Sequence, residues 1–223
     1  MIHVLRILIP ALCLAGCIAT STPRLTADAI EGKLERGVPD GWGFGGHSPE
    51  DYDMFIDTQF RHGGKASVSL LTLGTVWKGS GTLQQQLAAV DYAGHRVCFR
   101  AFVRTNRVEG SCALWMRVDS ESQKRIAYDD MARRRIEGTN DWHEYSVVLD
   151  IPDDAVLITF GVVLYGIGQV WIDDCAFETV GRDVAPTGDY VRPTPARTVL
   201  DPDLRNGPIN LDIEGPVQEL LFE

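Results

Sequence analysis

Gln84, Arg100, Trp115, Arg117 and Tyr165 share one property: each sits on the polar side of a short run of alternating residues. In a β-strand successive side chains point to opposite faces, so parity sorts such runs into a core side and an outer side. Residues 95–105 put Val97, Phe99, Ala101 and Val103 inward and Arg96, Cys98, Arg100, Phe102 and Arg104 outward. Residues 111–119 put Cys112, Leu114, Met116 and Val118 inward, leaving Ala113, Trp115, Arg117 and Asp119 on the other side. Gln84 and Gln86 face outward from 82–88, although Gln85 falls on an inward position, and Thr159, Gly161, Val163 and Tyr165 face outward from the run that begins at 156. If residues 106–110 close a hairpin, Arg100 falls opposite Trp115 and Cys98 opposite Arg117. Planar amides and guanidinium groups bond to hydroxyls while indole and phenol rings stack on C–H faces, so this outer face suits a saccharide or another small polar ligand. The alternative is a solvated sheet with Trp115 covered by a loop.

Catalytic patterns are weaker. His3, His47, His62, His95 and His143 are scattered without the i, i+4 spacing of a helical metal site, and no GxSxG elbow occurs. The acidic pairs Asp129-Asp130, Asp153-Asp154 and Asp173-Asp174 fall in turns or at strand ends, where carboxylates commonly accept backbone N–H groups. A glycosidase needs two carboxylates facing across a cleft, which sequence alone does not test. The expected protein is not an enzyme. A formal charge of −10 argues against nucleic acid as a partner. The single basic run, Arg133-Arg134-Arg135, lies among acids and reads as a solvated loop rather than a phosphate site. Besides Cys13 and Cys17 the cysteines are Cys98, Cys112 and Cys175, an odd set without a CxxC pair. Cys112 and Cys175 both point inward, to pair or to stay as buried small hydrophobes.

Eight strands carry these residues, at 52–57, 66–71, 82–88, 95–105, 111–119, 142–151, 156–164 and 169–179. Short strands, turn residues between them and no helix-period segment predict an all-β fold, an antiparallel jelly-roll β-sandwich. The sandwich is expected over 28–181. From 182 to 223 repeated prolines predict an extended tail. The tail contains N-L-D-I-E-G at 210–215, an echo of D-A-I-E-G at 28–32, so it either opens a truncated second module, the preferred reading, or adds a strand to the first.

The N-terminus combines Arg6, an apolar stretch from Ile7 to Ala15, and Leu14-Ala15-Gly16 before Cys17. It is too short to span a bilayer. It is similar to the bacterial lipoprotein signal, which implies a signal peptide at 1–16, lipidation of Cys17, a linker at 17–27 and a lipid-anchored place in the cell envelope. Ile18 is not the aspartate that this resemblance ties to inner-membrane retention, which points to the outer membrane, facing the periplasm.

D-T-Q-F-R-H-G-G-K-A-S at 57–67, W-H-E-Y at 142–145 and G-Q-V-W-I-D-D at 168–174 resemble bacterial carbohydrate-binding-module-like, galactose-binding-like jelly rolls. L-W-M-R-V-D, Y-D-D-M and I-E-G-T-N-D-W, between 113 and 142, are similar to accessory domains of erythromycin-esterase-like enzymes and AraC-type regulators. The resemblance implies the fold more firmly than any ligand. It also implies a structural calcium at Glu31, the carbonyls around Lys65, and Asp173, although H-G-G-K departs from the usual loop. Two functions follow: an envelope lipoprotein that binds a glycan or small polar ligand, or a structural module that docks onto another envelope protein through an apolar patch including Phe102 and Val163.

Overall fold

The computed structural model describes residues 34–122, 124–188, 194–195 and 204–218, and all fall in one compact unit, Gly32–Glu223. The expected signal segment 1–16 and linker 17–27, with Cys17, Glu31 and parts of the tail, lie outside the described residues. In chain order the strands are β1 (Leu34–Arg36), β2 (Val38–Pro39), β3 (Gly43–Gly46), β4 (Tyr52–Asp57), β5 (Ser67–Thr72) and β6 (Ser80–Ala88). They continue as β7 (Arg96–Ser120), β8 (Lys124–Asp129), β9 (Ile136–Asp150), β10 (Ala155–Val180), β11 (Thr194–Pro195) and β12 (Val217–Gln218).

β7 and β10 are long enough to belong to two layers, at 25 and 26 residues. Their outer lengths pair from Arg96↔Val180 to Ser120↔Ala155. In the first sheet the order is β1-β4-β5, then the C-terminal half of β10, the N-terminal half of β7, and β9. In the second it is β3-β6, then the N-terminal half of β10, the C-terminal half of β7, β8 and β11. All pairs are antiparallel, and the two layers enclose one core: a jelly-roll β-sandwich.

The crossing between layers replaces the expected hairpin at 106–110. Asn and Gly there do not close a turn; they sit in a bulged bend of one continuous strand. Arg107 takes φ 51°, and Gly110 lies opposite Gly166, both with φ above 100°. A Cβ on Gly110 would come within 2.1 Å of the Tyr165 carbonyl oxygen, so only glycine lets the two backbones meet at this bend. The bulges also shift parity, which is why inward positions are odd at Val97–Val103 and even at Cys112–Val118. Arg100 therefore pairs with Ser146 and Ala176, and Trp115 with Gly161, in different sheets.

Aromatic rings from both layers meet in the core. Phe160 of the second sheet lies 4.7 Å from Phe99 and 4.5 Å from Phe177 of the first, ring centre to ring centre, and 5.9 Å from Trp42. Cys112 and Cys175 are buried and unbridged, and Cys98 is also a free thiol.

The described part of the tail packs on the sandwich. β12 pairs with β2, Ile213 is buried, and Trp42 Nε1 donates to the Asn210 carbonyl at 3.0 Å. The anomalous Gln85 explains itself here. Buried in the core face of β6, its amide donates to the Ile209 carbonyl at 2.6 Å and accepts from the Ile209 N–H at 3.2 Å. An inward glutamine is stable only with such partners, and the tail supplies them.

Candidate functional site

On the outer face of the second sheet, Gly161 of β10 lies in register between Gln84 of β6 and Trp115 of β7. With no side chain at Gly161, the indole of Trp115 reaches across β10. Its Nε1 donates to Thr82 Oγ1 at 3.0 Å, and that hydroxyl donates to the Val162 carbonyl at 2.8 Å. The ring is thereby fixed over the sheet, its N–H used within the protein and its face left to the surface. Gly161 cannot be replaced without moving a strand, since a Cβ would stand 1.9 Å from the Leu83 carbonyl oxygen.

A groove of about 330 Å³ opens over this ring. Val163 forms part of its floor, and Gln84, Tyr128, Tyr165, Arg117 and the His47–Ser80 pair form its polar walls. His47 Nδ1 and Ser80 Oγ are 3.2 Å apart. Arg117 Nε donates at 2.9 Å to Asp119, a buried carboxylate behind the wall. Among the described residues the Gln84 amide and the Tyr128 and Tyr165 hydroxyls make no hydrogen bond. Burial, the largest cause, pushes both phenols upward, with the charge of Asp130 adding to it, so they remain protonated at neutral pH. Free amide and phenol groups around a fixed indole offer donors and acceptors to hydroxyls and a flat apolar surface to a ring.

Gln84, Trp115, Arg117 and Tyr165 thus meet in one groove. Arg100 does not. It lies on the outer face of the first sheet, where Nη1 meets Glu144 Oε2 at 3.0 Å and Nε meets Glu178 Oε1 at 3.2 Å. The reason is the missing hairpin: β7 carries Arg100 into one layer and Trp115 into the other. His47, Ser80, Thr82 and Tyr128 escaped the sequence reading. Ser80 and Thr82 share parity with Gln84 on β6, a signal that two more positions of the same alternation would have exposed.

The first sheet's outer face is closed by residues 58–65. Asp57 Oδ1 accepts the N–H groups of Gln59 and Phe60, at 2.8 and 3.0 Å. Asp57 Oδ2 takes the Trp171 indole N–H at 2.8 Å. His62 stacks on Phe102 at 3.6 Å between ring centres. The apolar patch expected to join Phe102 and Val163 therefore does not exist: one lies beneath His62 and the other in the groove floor of the opposite sheet.

Two of the positions named for calcium, Asp173 and the Lys65 loop, are described, and in this structure both are engaged within the protein. Asp173 Oδ2 accepts the N–H groups of His62 and Gly63, at 2.6 and 3.1 Å, and Oδ1 accepts that of Asp174. The Lys65 N–H turns to Glu214, and the Gly64 carbonyl accepts from Arg61 Nε. The loop N–H groups thus donate to carboxylates of the kind that calcium also takes. Among the described residues no three His, Cys, Asp or Glu side chains gather as a metal site.

Fold and groove together define an antiparallel jelly-roll sandwich with an open aromatic groove on one sheet. No protein-family model matches the sequence. The chain is similar to a Bacillus subtilis (strain 168) protein named as an uncharacterised HTH-type transcriptional regulator, YbfP, with 35% identity over 205 residues. The match covers 92% of this chain and 66% of that protein, so the chain spans slightly less than two thirds of the curated relative's length. Among solved structures, the enzymatically active domain of bacteriophage CBA120 tailspike protein 4 shares the fold at 10% identity and a TM-score of 0.51, over 63% of this chain and 20% of that one. The C-terminal family 22 carbohydrate-binding module of Clostridium thermocellum Xyn10B aligns with a TM-score of 0.45 and 18% identity, over 69% of this chain and 97% of that one.

Proposed function

We propose that this protein binds a saccharide, without transforming it, in the groove over Trp115. The observation that carries the reading is the fixed indole ringed by an amide and two phenols that have no internal hydrogen bond. Unsatisfied polar groups at a concave aromatic surface gain most from a ligand rich in both hydroxyls and C–H faces. Hydrolysis by paired carboxylates lacks its groups in this groove, because no Asp or Glu among the described residues lines it. We further propose that Cys17 carries a lipid and holds the sandwich in the cell envelope, at the outer membrane and facing the periplasm. The Leu14-Ala15-Gly16-Cys17 sequence supports this.

A second reading rests on the similarity to the HTH-type regulator. In it the groove is the effector site of a sensing module. DNA contact is not carried over, since the chain bears a formal charge of −10.

The test of the groove is a screen of the full chain, in detergent, against cell-wall and exopolysaccharide fragments. Retention of a glycan by wild type and its loss in Trp115→Ala is the expected result; no retention of any fragment overturns the saccharide reading. For the anchor, Cys17→Ala should move the protein from the membrane fraction to the soluble envelope fraction or leave it unprocessed. Wild-type protein that is wholly soluble after lysis ends that idea.

A further inference from the structure

The groove does not stop at Gln84. Beyond that residue a second depression of about 480 Å³ continues along β3 and β6 to the returning tail, bounded by Trp42, Gln86, Arg205 and Gln218. The two share Gln84 and are both bordered by β3, which gives Gly46 to the first and Gly43 to the second; Gly43 and Gly45 lie opposite Gln84 and Thr82. Nothing in the protein demands glycine at these two places. Neither has a positive φ, and a Cβ would meet no atom closer than 3.8 Å at Gly43 or 4.0 Å at Gly45. What their missing side chains do is keep the two depressions continuous.

The charge of this surface departs from that of the whole chain. Asp and Glu number 31 against 21 Lys and Arg, yet among the described residues no carboxylate lines either depression. The charged groups there are arginines. Arg117 is offset by Asp119. Arg205, in the second depression, makes no ion pair among the described residues; outside the groove, in a neighbouring depression that also holds Glu137, Arg135 makes none either, and its guanidinium stands 5.8 Å from the centre of the Tyr165 ring. Arg125 likewise lies over Tyr128, 4.4 Å from its ring centre. The acid near this end, Asp130, accepts the Ala132 N–H. An acidic protein with an uncompensated arginine at one end of an acid-free trough, and a second beside its other end, has a local field that favours an anion.

We propose that the two depressions form one trough for a linear saccharide that carries carboxylates, a uronic-acid chain, and this rests on the saccharide reading above. Arg205 and Arg135 meet carboxylates toward opposite ends, and Trp115 stacks a ring between them. Guanidinium groups match carboxylates with paired, planar hydrogen bonds that lysine does not reproduce.

Affinity electrophoresis of the full chain in detergent, in gels containing polygalacturonate, alginate, arabinoxylan or galactan, tests this. The expected result is retention by a uronate polymer, weakened several-fold as salt is raised. Arg205→Gln and Arg135→Gln should each weaken that retention about tenfold, and Gly45→Val should abolish it with an unchanged melting temperature. Retention by the neutral polymers alone, unaffected by the arginine variants, overturns the uronate assignment and leaves the saccharide groove standing. Wild-type retention in Gly45→Val overturns the continuous trough. Retention by none of the four polymers overturns the uronate assignment, and only failure of the wider fragment screen removes the saccharide reading.

Discussion

The outer faces of the two sheets share two strands, β7 and β10, and are opposite in character. On the first sheet every conspicuous group has found a partner: Arg100 between Glu144 and Glu178, Phe102 under His62, Trp171 on Asp57, and Asp173 on the loop N–H groups. On the second sheet Trp115 is fixed but uncovered, and Gln84, Tyr128 and Tyr165 keep their hydrogen-bonding capacity. An outward arginine or aromatic residue is therefore no sign of a site by itself. The distinguishing feature is whether the protein has already satisfied it.

The largest effect expected is one that removes both faces together. Phe99 is fully buried and contacts the ring of Phe160 in the opposite layer, so Phe99→Ala should lower the urea-unfolding free energy by about 3–5 kcal/mol. An unchanged unfolding midpoint would mean that the layers are not joined through this ring. Next comes the contrast itself. Trp115→Ala should lose glycan affinity by about tenfold or more while the domain stays folded, whereas Trp142→Ala on the closed face should leave affinity unchanged in the same calorimetric titration. Equal losses in the two variants would erase the difference between the faces.

Closure of the first face depends on Asp173, and Asp173→Ala should release the loop at 58–65 for about 1–3 kcal/mol of stability. Hydrogen exchange at the His62 and Gly63 amides reads this directly. A chelator should leave the wild-type melting temperature where it was, and a drop would put calcium back at this loop. The smallest effect is a pH dependence. The Arg96 guanidinium, hydrogen-bonded to Asp150 at 2.9 Å, holds that carboxyl below its usual range. A lowered folded-state value contributes stability that is present above the unfolded value and lost as pH falls through the folded one. Asp150→Asn should be less stable than wild type near neutrality, and the gap in urea midpoint should close in acid. A gap that persists at low pH would mean the charge on Asp150 contributes nothing.

Alternation made much of this legible. The strand read at 52–57 is β4, and the inward sets Val97–Val103 and Cys112–Val118 are core residues. Gln84, Trp115, Arg117 and Tyr165 could be grouped because parity survives whatever the connection between strands. The connection was the illegible part. Asn106 and Gly110 give the same signal for a tight turn and for a bulged bend, since both need residues that tolerate unusual backbone angles. Only the long-range pairing of Gly110 with Gly166 decides between them. Tyr128 was hidden for a related reason. Its neighbours Asp129 and Asp130 read as a turn, and β8 becomes a strand only by lying against β7. The tail strand, likewise, has no alternation of its own and is fixed by β2 and Gln85.

β10 lies between β5 and β7 in one layer and between β6 and β7 in the other, and it follows all of these strands in the chain. Until it emerges, β4, β5 and β6 have no strand that ties them to β7. Almost all the pairing is between distant parts of the chain, an arrangement that folds slowly. A chain of this design therefore stays open at both layers until β10 has been made, because one strand supplies the missing partner of both.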